Sequence, residues 1–273
     1  MLTFPNAKIN IGLNVLEKRN DGFHNIESVF YPLNLTDALE IIEDKKNKSK
    51  NKIKFTSSGL KCEGDEKNNL CVKTYSLIDN DFNLPPVQMH LHKNIPIGAG
   101  LGGGSSNAAF TIKLLNDIFK LNISVKQMQN YAAKLGSDCA FFIENKPAFC
   151  FKRGDEFEKI KLYLSKYCFV LINPGIHINT AKAYSNIITA KPKTSIKELI
   201  ELPLSKWKDY IFNDFEKNIF VKYPQIKKIK DFFYKQGAVY SSMTGSGSSV
   251  YGIFDREIKL KNLPSEYFIW HKK

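Results

Sequence analysis

The sequence predicts an α+β fold, because its strand-like segments and its helix-like segments form separate runs. Segments with alternating apolar residues fill most of the first 57 residues and recur at 87–92. Helical spacing begins only after residue 103, at the end of a glycine-rich loop. Helices that are collected apart from strands favour α+β architecture over a doubly wound parallel sheet, in which the two types alternate.

The N-terminal strands are predicted from their period of two residues. In AKINIGLNVL, at 7–16, every second side chain is apolar, which is typical of a half-buried strand: Ile9, Ile11, Leu13 and Val15. Similar patterns predict strands at 26–33, 38–43, 52–57 and 87–92. In the last of these, Val87, Met89 and Leu91 share one face.

The first helix is predicted directly after the glycine-rich loop. Apolar residues recur there at three- and four-residue spacing: Ala108, Ile112, Leu115 and Phe119. Ser124, with Gln127 three residues further on, indicates a capping box at the start of a second helix. Gly136 follows Leu135 and is predicted to end that helix.

The second half of the chain combines both patterns. We predict strands at 147–151, 167–173, 247–254 and 266–270, and a turn at 153–157. Helices are predicted at 180–188, 195–202, 205–218 and 224–236. No internal repeat or low-complexity linker is evident, and 273 residues suffice for two medium-sized domains. We therefore predict an N-terminal domain at 1–154 and a C-terminal domain at 155–273.

The chain is strongly basic, with a formal net charge of +13. A basic surface is typical of proteins that bind a nucleic-acid backbone. Only three of the 40 basic residues are arginine, however, and the densest basic block, Glu43–Lys54, lies between two apolar segments like a solvated loop. Because arginine is preferred for bidentate contacts to phosphates and bases, we favour small anionic ligands over nucleic acid.

Location and redox state are predicted from what the sequence lacks. We find no basic leader with an apolar core, and no apolar run near the roughly 18 residues of a membrane span. We therefore predict a cytoplasmic protein without a membrane partner.

The five cysteines form no C-x-x-C pair: Cys62, Cys71, Cys139, Cys150 and Cys168. This pattern predicts reduced thiols, most of them packing residues, rather than disulfides or a zinc site.

The glycine-rich loop, IPIGAGLGGGSSNAAF at 95–110, has glycine at five of the seven positions from 98 to 104. Its G-x-G-x-x-G spacing is weak evidence for a dinucleotide fold, because no acidic residue follows at 120–126. A Walker A loop is excluded, since Gly103 precedes Gly104 and Ser105 instead of lysine and serine or threonine. Glycines that enter a helix nonetheless let backbone N–H groups and the helix dipole face an anion. We predict an anion cradle, in which Ser105 and Ser106 donate hydrogen bonds or reach Mg²⁺.

Other candidate site residues have alternative explanations when they are considered one by one. Asp138, in LGSDCAFF, is either a helix cap or an acid placed among apolar neighbours to act as a base. Lys8, in the first strand, either extends to solvent or is buried with a partner, which a buried ammonium needs. Phe23 and Tyr184 either stack on a base or belong to the core.

Six ordered motifs resemble those of the GHMP small-molecule kinases. They are AKIN at 7–10, DGFH at 21–24, GLGGGSSNAA at 100–109, LGSD at 135–138, PGIHINT at 174–180 and TGSG at 244–247. Together they span nearly the whole chain, and six ordered motifs are far more specific than any one of them. Within this family, they are most similar to the motifs of kinases whose acceptor is a cytidine-diphosphate-linked methylerythritol.

The resemblance implies a GHMP kinase fold, with a ribosomal-protein-S5-domain-2-like N-terminal domain and a ferredoxin-like C-terminal domain. It implies MgATP as the phosphate donor, with Ser106 as our candidate magnesium ligand, and the 2-hydroxyl of the acceptor as the group phosphorylated. Asp138 would be the catalytic base, paired with Lys8 near the acceptor oxygen. The implied phosphate loop comprises Pro96, Ile97, Gly98, Ala99, Gly100, Leu101, Gly102, Gly103, Gly104, Ser105 and Ser106.

The acceptor site is carried by the same resemblance. It implies that Phe23 and His24 hold cytosine, with phenylalanine where the family commonly has tyrosine, and we expect Tyr184 to cover the other face of the base. Asn10 and Thr180 match family positions that contact the polyol and the phosphates of the substrate.

Two other functions stay open at the level of sequence. The first is a GHMP kinase for homoserine or a mevalonate-type acceptor, against which the GFH segment argues. The second is a basic nucleic-acid-binding module, since the N-terminal fold of the family resembles a ribosomal-protein fold. We expect a monomer or a homodimer.

Overall fold

The computed structural model describes residues 1–47, 49, 51–61, 65–185, 187–261 and 263–272. Within these ranges the strands are β1 (Leu2–Thr3), β2 (Asn6–Lys18), β3 (His24–Thr36), β4 (Ala38–Glu43), β5 (Ile53–Gly59), β6 (Val87–Lys93), β7 (Ala148–Lys152), β8 (Glu156–Lys159), β9 (Cys168–Asn173), β10 (Tyr240–Met243), β11 (Val250–Phe254) and β12 (Phe268–His271). The helices are α1 (Leu70–Phe82), α2 (Gly103–Phe119), α3 (Val125–Leu135), α4 (Phe141–Glu144), α5 (Thr180–Ser185), α6 (Ile196–Leu199), α7 (Leu204–Tyr210), α8 (Phe215–Lys222) and α9 (Pro224–Lys235), with a short 3₁₀ helix at Glu66–Asn68. Strands and helices are both abundant, as the predicted α+β class requires.

The chain folds into two compact units that interleave along the sequence. The first unit contains Met1–Ala7, Asn34–Ile97 and Gly102–Lys146. The second contains Lys8–Leu33, Gly98–Leu101 and Pro147–Lys273. These units are defined by contacts within the fold, and the domain boundary at 154 stays a prediction.

The first unit is built on a four-stranded sheet in the order β1-β4-β6-β5. β4 runs antiparallel to β6, with Leu39 opposite Leu91, whereas β5 runs parallel to β6. Val87, Met89 and Leu91 are buried on one face of β6, as their alternation predicts. α2 packs against β4 and against α1, α3 and α4, so sheet and helices share one core.

The second unit contains the sheet β10-β11-β9-β12 and most of the sheet β2-β3-β7-β8. All strand pairs of β10-β11-β9-β12 are antiparallel. α9 packs on β10 and β11, where the ring of Phe233 meets that of Phe254 edge to face. These antiparallel sheets agree with the α+β prediction, since a doubly wound fold needs a mostly parallel sheet.

Most of the predicted elements are present. β4 has the predicted bounds, and the predicted capping box forms at the start of α3, where Ser124 and Gln127 each accept a hydrogen bond from the other's backbone. β2, in contrast, is buried on both faces from Asn6 to Leu13, although its alternation predicts a half-buried strand. Polar side chains on its second face, such as Lys8, are buried because they find partners inside the protein.

Other predictions are wrong in extent. The helix predicted at 205–218 is two helices, α7 and α8, because residues 211–214 leave the helical path and bond to Leu13 in β2. The strand predicted at 247–254 begins only at Val250. The sequence patterns do not predict α1, α4, β8 or β10. α1 buries Cys71 and Thr74 beside Tyr75, so apolar periodicity alone does not reveal it.

In the described part of the chain, no helix has the length and the apolarity that a membrane crossing requires. Four cysteines are buried or partly buried, as expected of packing residues: Cys71, Cys139, Cys150 and Cys168. Cys62 lies outside the described residues.

Lys113, on α2, makes the stability of the first unit depend on pH. Its ammonium group donates to Phe142 O at 2.7 Å and lies 4.5 Å from the centre of the Phe110 ring. Burial lowers the pKa of Lys113 to about 8, although the charge of Asp117 opposes the shift. Below that pH the folded and unfolded chains both carry the proton. Between pH 8 and the ordinary lysine value of about 10.4, only the unfolded chain holds it, so stability rises with pH.

We therefore expect the urea midpoint of the wild-type protein to rise relative to that of Lys113→Met as the pH increases from about 8 to about 10. Lys126, an exposed residue of α3, provides the control, since Lys126→Met should leave the pH slope as in wild type. Equal pH slopes for wild type and Lys113→Met would contradict this account.

Candidate active site

In the second unit, the loop segment Gly98–Leu101 lies against the TGSG motif near the C-terminus. Gly100 has a φ of +77°, and a β-carbon there would stand 2.1 Å from Thr244 O. Thr244 Oγ1 donates to Gly100 O at 3.0 Å, and Ser249 N donates to Ala99 O at 3.3 Å. Only glycine permits so close an approach of one backbone to another at this φ. Two motifs that the sequence separates widely are thus in direct contact.

Asn10 connects the N-terminal motif to the same TGSG motif. Its backbone N–H donates to Thr244 Oγ1 at 3.0 Å, and Tyr251 OH donates to its carbonyl at 2.9 Å. The Asn10 side chain donates from Nδ2 to Ser28 Oγ at 2.9 Å and accepts at Oδ1 from Lys8 Nζ at 2.6 Å. Asn10 is buried, so its side chain orients Lys8 from inside the protein.

Lys8 is buried, with only 3 % of its surface exposed. The alternative in which it extends into solvent is therefore wrong. Besides bonding to Asn10, the ammonium lies 4.4 Å from the centre of the Phe30 ring, whose face attracts a cation. The Lys8 backbone N–H donates to Leu101 O at 2.9 Å, which joins β2 to the glycine-rich loop.

The remaining loop residues belong to the first unit, where Gly102–Ser106 forms the start of α2. Gly102 caps α2 with a φ of +69° and has no side chain that accepts from the first turn. α1 and α3, in contrast, are capped by the side chains of Asn69 and Ser124. The first N–H groups of a helix have no intrahelical partner, so α2 presents uncapped donors and its positive dipole end to an anion.

The buried carboxylate of Asp37 fixes the segment of chain that leads from β6 into α2. Asp37 Oδ1 accepts from the backbone of Asn94 at 2.8 Å and of Ile95 at 2.9 Å. Asp37 Oδ2 accepts from Asn107 Nδ2 at 2.8 Å and forms an ion pair with Lys93, which also donates to Asn107 Oδ1 at 3.2 Å. One carboxylate therefore holds the end of β6 and the first turns of α2 together.

Lys93 is a site residue that sequence reasoning missed. It lies beside Gly103, where a β-carbon would stand 3.2 Å from Lys93 Nζ and 3.0 Å from Ile95 Cγ2. The signal is present in the sequence, because the alternation that buries Leu91 also places position 93 on the core face of β6. The ammonium of Lys93 lies next to the start of α2, where the carboxylate of Asp37 offsets its charge.

Ser106 is the candidate magnesium ligand. Its hydroxyl is buried, and no hydrogen-bond partner for it is found in the described part of the chain. An unsatisfied buried hydroxyl is costly, so this atom fits a role in ligand binding. The described residues contain no group of three or more histidine, cysteine, aspartate or glutamate side chains able to hold a metal. A magnesium ion here would therefore fit the usual nucleotide arrangement, in which water and phosphate oxygens supply most ligands.

Asp138 lies in the turn between α3 and α4 and is partly exposed. The N-cap of α4 is Ala140, so the explanation of Asp138 as a cap for the following helix is wrong. The adjacent Cys139 is buried and shares a hydrogen bond with the side chain of Ser105, on the first turn of α2. Burial raises the pKa of the Cys139 thiol to about 11. The uncharged thiol of Cys139 thus lies between the turn that carries Asp138 and the first turn of α2.

The predicted acceptor residues lie in the second unit. Phe23 is exposed at the tip of the β2–β3 hairpin, with the guanidinium of Arg153 5.4 Å from its ring centre. His24 stacks on Tyr184, with 4.9 Å between the ring centres. A base between two rings needs about 7 Å, twice the contact distance of carbon atoms. In this conformation a base therefore does not fit between His24 and Tyr184, whereas Phe23 offers an open surface.

The charge of His24 suits the recognition of a neutral base. Burial lowers the pKa of His24, and the positive charge of Lys18 lowers it further. At pH 7 the imidazole is therefore neutral, with one ring nitrogen that donates a hydrogen bond and one that accepts.

Two residues of the PGIHINT motif also reach the loops of the second unit. Thr180 Oγ1 lies 3.1 Å from Ser246 Oγ, so Thr180 joins the TGSG motif as the sequence suggests. His177, to which sequence reasoning assigns no role, lies beside Gly98, where a β-carbon would stand 3.0 Å from its Nδ1. Only the fold reveals this contact.

Comparison with known families identifies two regions of the chain. Residues 69–146 match the model of the GHMP kinases N terminal domain, and residues 195–267 match that of the GHMP kinases C terminal domain. The first match contains the start of α2 and Asp138, and the second contains the TGSG motif.

Several relatives and solved structures are similar over nearly the whole chain. The 4-diphosphocytidyl-2-C-methyl-D-erythritol kinase of Bacteroides fragilis is 50% identical over 97% of this chain and 96% of its own. The kinase of the same name from Cytophaga hutchinsonii is 51% identical over 93% of each chain. A crystal structure of 4-(cytidine 5'-diphospho)-2C-methyl-D-erythritol kinase aligns with a TM-score of 0.80 and 26% identity, over 93% of this chain and 90% of that one. A mevalonate kinase structure, at 15% identity and a TM-score of 0.70 over 93% and 91% of the two chains, shares the fold.

The contact between Gly100 and Thr244 predicts opposite outcomes for two glycines of the loop. Gly100→Ala places a β-carbon against Thr244 O at a positive φ, so we expect a loss of roughly 2–5 kcal/mol in stability. Gly104→Ala meets only Leu70 Cδ1 at 3.6 Å, an ordinary contact, and alanine favours a helix by up to about 1 kcal/mol. Urea unfolding of both variants measures the difference. Equal stabilities would contradict the close backbone approach.

Proposed function

This chain belongs to the GHMP kinase family, among the 4-diphosphocytidyl-2-C-methyl-D-erythritol kinases, and on that premise we propose the reaction it catalyses. It transfers the γ-phosphoryl group of ATP to the 2-hydroxyl of 4-(cytidine 5'-diphospho)-2-C-methyl-D-erythritol, giving the 2-phosphate and ADP in isoprenoid precursor synthesis. The observation that carries the proposal is the meeting of three family motifs in one hydrogen-bonded network, through Asn10, Gly100 and Thr244.

The transfer itself is a displacement at phosphorus. The acceptor oxygen attacks the γ-phosphorus, the bond from that phosphorus to the β–γ bridging oxygen breaks, and ADP leaves. We assign Asp138 as the base that accepts the proton of the hydroxyl. Lys8, held by Asn10 and Phe30, is assigned to the same hydroxyl, where its positive charge favours the developing alkoxide.

The nucleotide phosphates are assigned to the loop at 96–106. The uncapped start of α2 supplies backbone N–H donors for the phosphate oxygens. Ser106 would hold Mg²⁺, which supplies charge to offset that of the phosphates.

The acceptor is assigned to the residues around the β2–β3 hairpin. The exposed ring of Phe23 stacks on cytosine, and the neutral imidazole of His24 bonds to its edge. Tyr184 covers the other face of the base once its stack with His24 opens. Thr180, beside Ser246, bonds to the phosphates or the polyol, and Asn10 is assigned to the same groups.

The location, the partners and the oligomeric state of the enzyme are also proposals. We propose that it acts in the cytoplasm on small molecules, as a monomer or a homodimer, without a nucleic-acid or membrane partner. An RNA-binding role would require affinity that falls steeply with salt, because such binding releases counterions.

The substrate assignment predicts that ADP release depends on the cytidine group. With the cytidine-linked methylerythritol as acceptor, we expect kcat/KM to exceed that for the same compound without cytidine by roughly tenfold or more, since stacking contributes about 1–3 kcal/mol per base. Homoserine and mevalonate serve as control acceptors. Faster turnover of either control would favour another GHMP kinase activity.

The assignment of the base predicts that Asp138→Asn lowers kcat by roughly 10²–10⁴-fold, because a positioned general base contributes about that much. ATP binding, measured by calorimetry, should stay close to the wild-type value. Asp231→Asn is the matched control, since Asp231 forms an exposed ion pair with Lys227 on α9. If Asp138→Asn turned over substrate as fast as the control, the assignment would be wrong.

A further inference from the structure

The segment Asn213–Glu216, of sequence NDFE, contacts the TGSG motif and strand β2 but lies in none of the family motifs. It falls where the sequence predicts the middle of a helix, yet the chain leaves the helical path at Ile211 and resumes it at Phe215. Between these points Leu13 N donates to Phe212 O at 2.9 Å, and Asp214 N donates to Leu13 O at 2.8 Å. The segment therefore pairs with β2 five residues beyond Lys8.

Asn213 holds the TGSG motif by both protons of its side-chain amide. Nδ2 donates to Met243 O at 2.9 Å and to Gly245 O at 2.8 Å, which are the carbonyls on either side of Thr244. Its Oδ1 accepts from Phe215 N at 3.0 Å, so the amide orientation is fixed. Asn213 is 2 % exposed and every polar atom of its side chain is bonded.

Glu216 bonds to the same end of β10, at the N–H of Met243, whereas Asn213 bonds to the C=O of that residue. Its Oε1 accepts from Met243 N at 2.8 Å and from Ser242 Oγ at 3.2 Å. Its Oε2 accepts from Lys230 Nζ at 2.6 Å, which neutralises the buried carboxylate. Both the N–H and the C=O of Met243 are thus held by this segment, directly before the threonine that contacts Gly100.

We propose that Asn213 and Glu216 are positioning residues for nucleotide binding. They fix the position of the TGSG motif, so that Thr244 bonds to Gly100 in the phosphate loop. The proposal rests on the proposed function, because it takes the loop at 96–106 as the phosphate site. We assign neither residue a contact with the nucleotide. They act through Thr244, whose hydroxyl accepts from Asn10 and donates to Gly100.

The test compares changes at two residues that each bond to strand β10, with ADP affinity and the unfolding midpoint as readouts. Asn213→Asp turns two donors into acceptors that face the carbonyls of Met243 and Gly245, and we expect ADP affinity to fall about tenfold or more. Tyr234→Phe is the control. Tyr234 OH bonds at 3.2 Å to the backbone of Ser241, which lies on β10 two residues before Met243. It should lower the unfolding midpoint and leave ADP affinity within twofold. If ADP affinity fell in both variants in proportion to their loss of stability, the proposal would be overturned.

A second pair keeps the proposal testable if Asn213→Asp does not fold. Glu216→Gln retains an oxygen that accepts from Met243 N, whereas Glu216→Ala does not, and both leave Lys230 without its partner. We expect ADP affinity near wild type for Glu216→Gln and at least about fivefold weaker for Glu216→Ala. Equal affinities would overturn the proposal. Since ADP binding is measured without an acceptor, failure of the proposed acceptor reaction leaves this comparison intact.

Discussion

The position of the glycine-rich loop in the second unit depends on a close contact between the backbones of Gly100 and Thr244. A hydrogen atom in place of a β-carbon at Gly100 is what allows this contact, and the Thr244 hydroxyl then bonds to Gly100 and to Asn10. Lys8 in turn depends on Asn10, which accepts a hydrogen bond from its ammonium. One steric condition therefore determines where the candidate phosphate loop, the candidate catalytic lysine and the TGSG motif lie.

A second condition operates in the first unit, where buried charge requires compensation. Asp37 and Lys93 are both nearly inaccessible, and burial of either alone would cost several kcal/mol. The carboxylate therefore accepts two backbone N–H groups and the Asn107 amide in addition to its ion pair. These bonds hold the path from β6 into α2, whose start has no capping side chain because its N-cap is Gly102. The position of the candidate phosphate site thus depends in part on satisfying a buried carboxylate.

The sequence predicted those parts of the fold that depend on local patterns. β4, the start of α3 and the position of the glycine-rich loop each follow from a period, a capping box or a run of glycines. The break at Ile211–Asp214 was missed because its cause is a partner strand 199 residues away, and Asp214 itself accepts from Val15 N. The burial of Lys8 was undecided for the same reason, since its partner Phe30 lies on β3 and acts only once the strands are paired. Lys93 differs, because the alternation of β6 already placed it on the core face.

The central claim is that this kinase phosphorylates the 2-hydroxyl of its cytidine-linked acceptor, and the product distinguishes it directly. That hydroxyl lies on a carbon that carries a methyl group and no hydrogen, so its phosphate has no proton three bonds away. A proton-coupled phosphorus NMR spectrum of the reaction of ATP with 4-(cytidine 5'-diphospho)-2-C-methyl-D-erythritol should therefore contain a new, unsplit phosphomonoester signal that grows with ADP. A split phosphomonoester signal, or ADP formation without a new phosphomonoester, would contradict the claim.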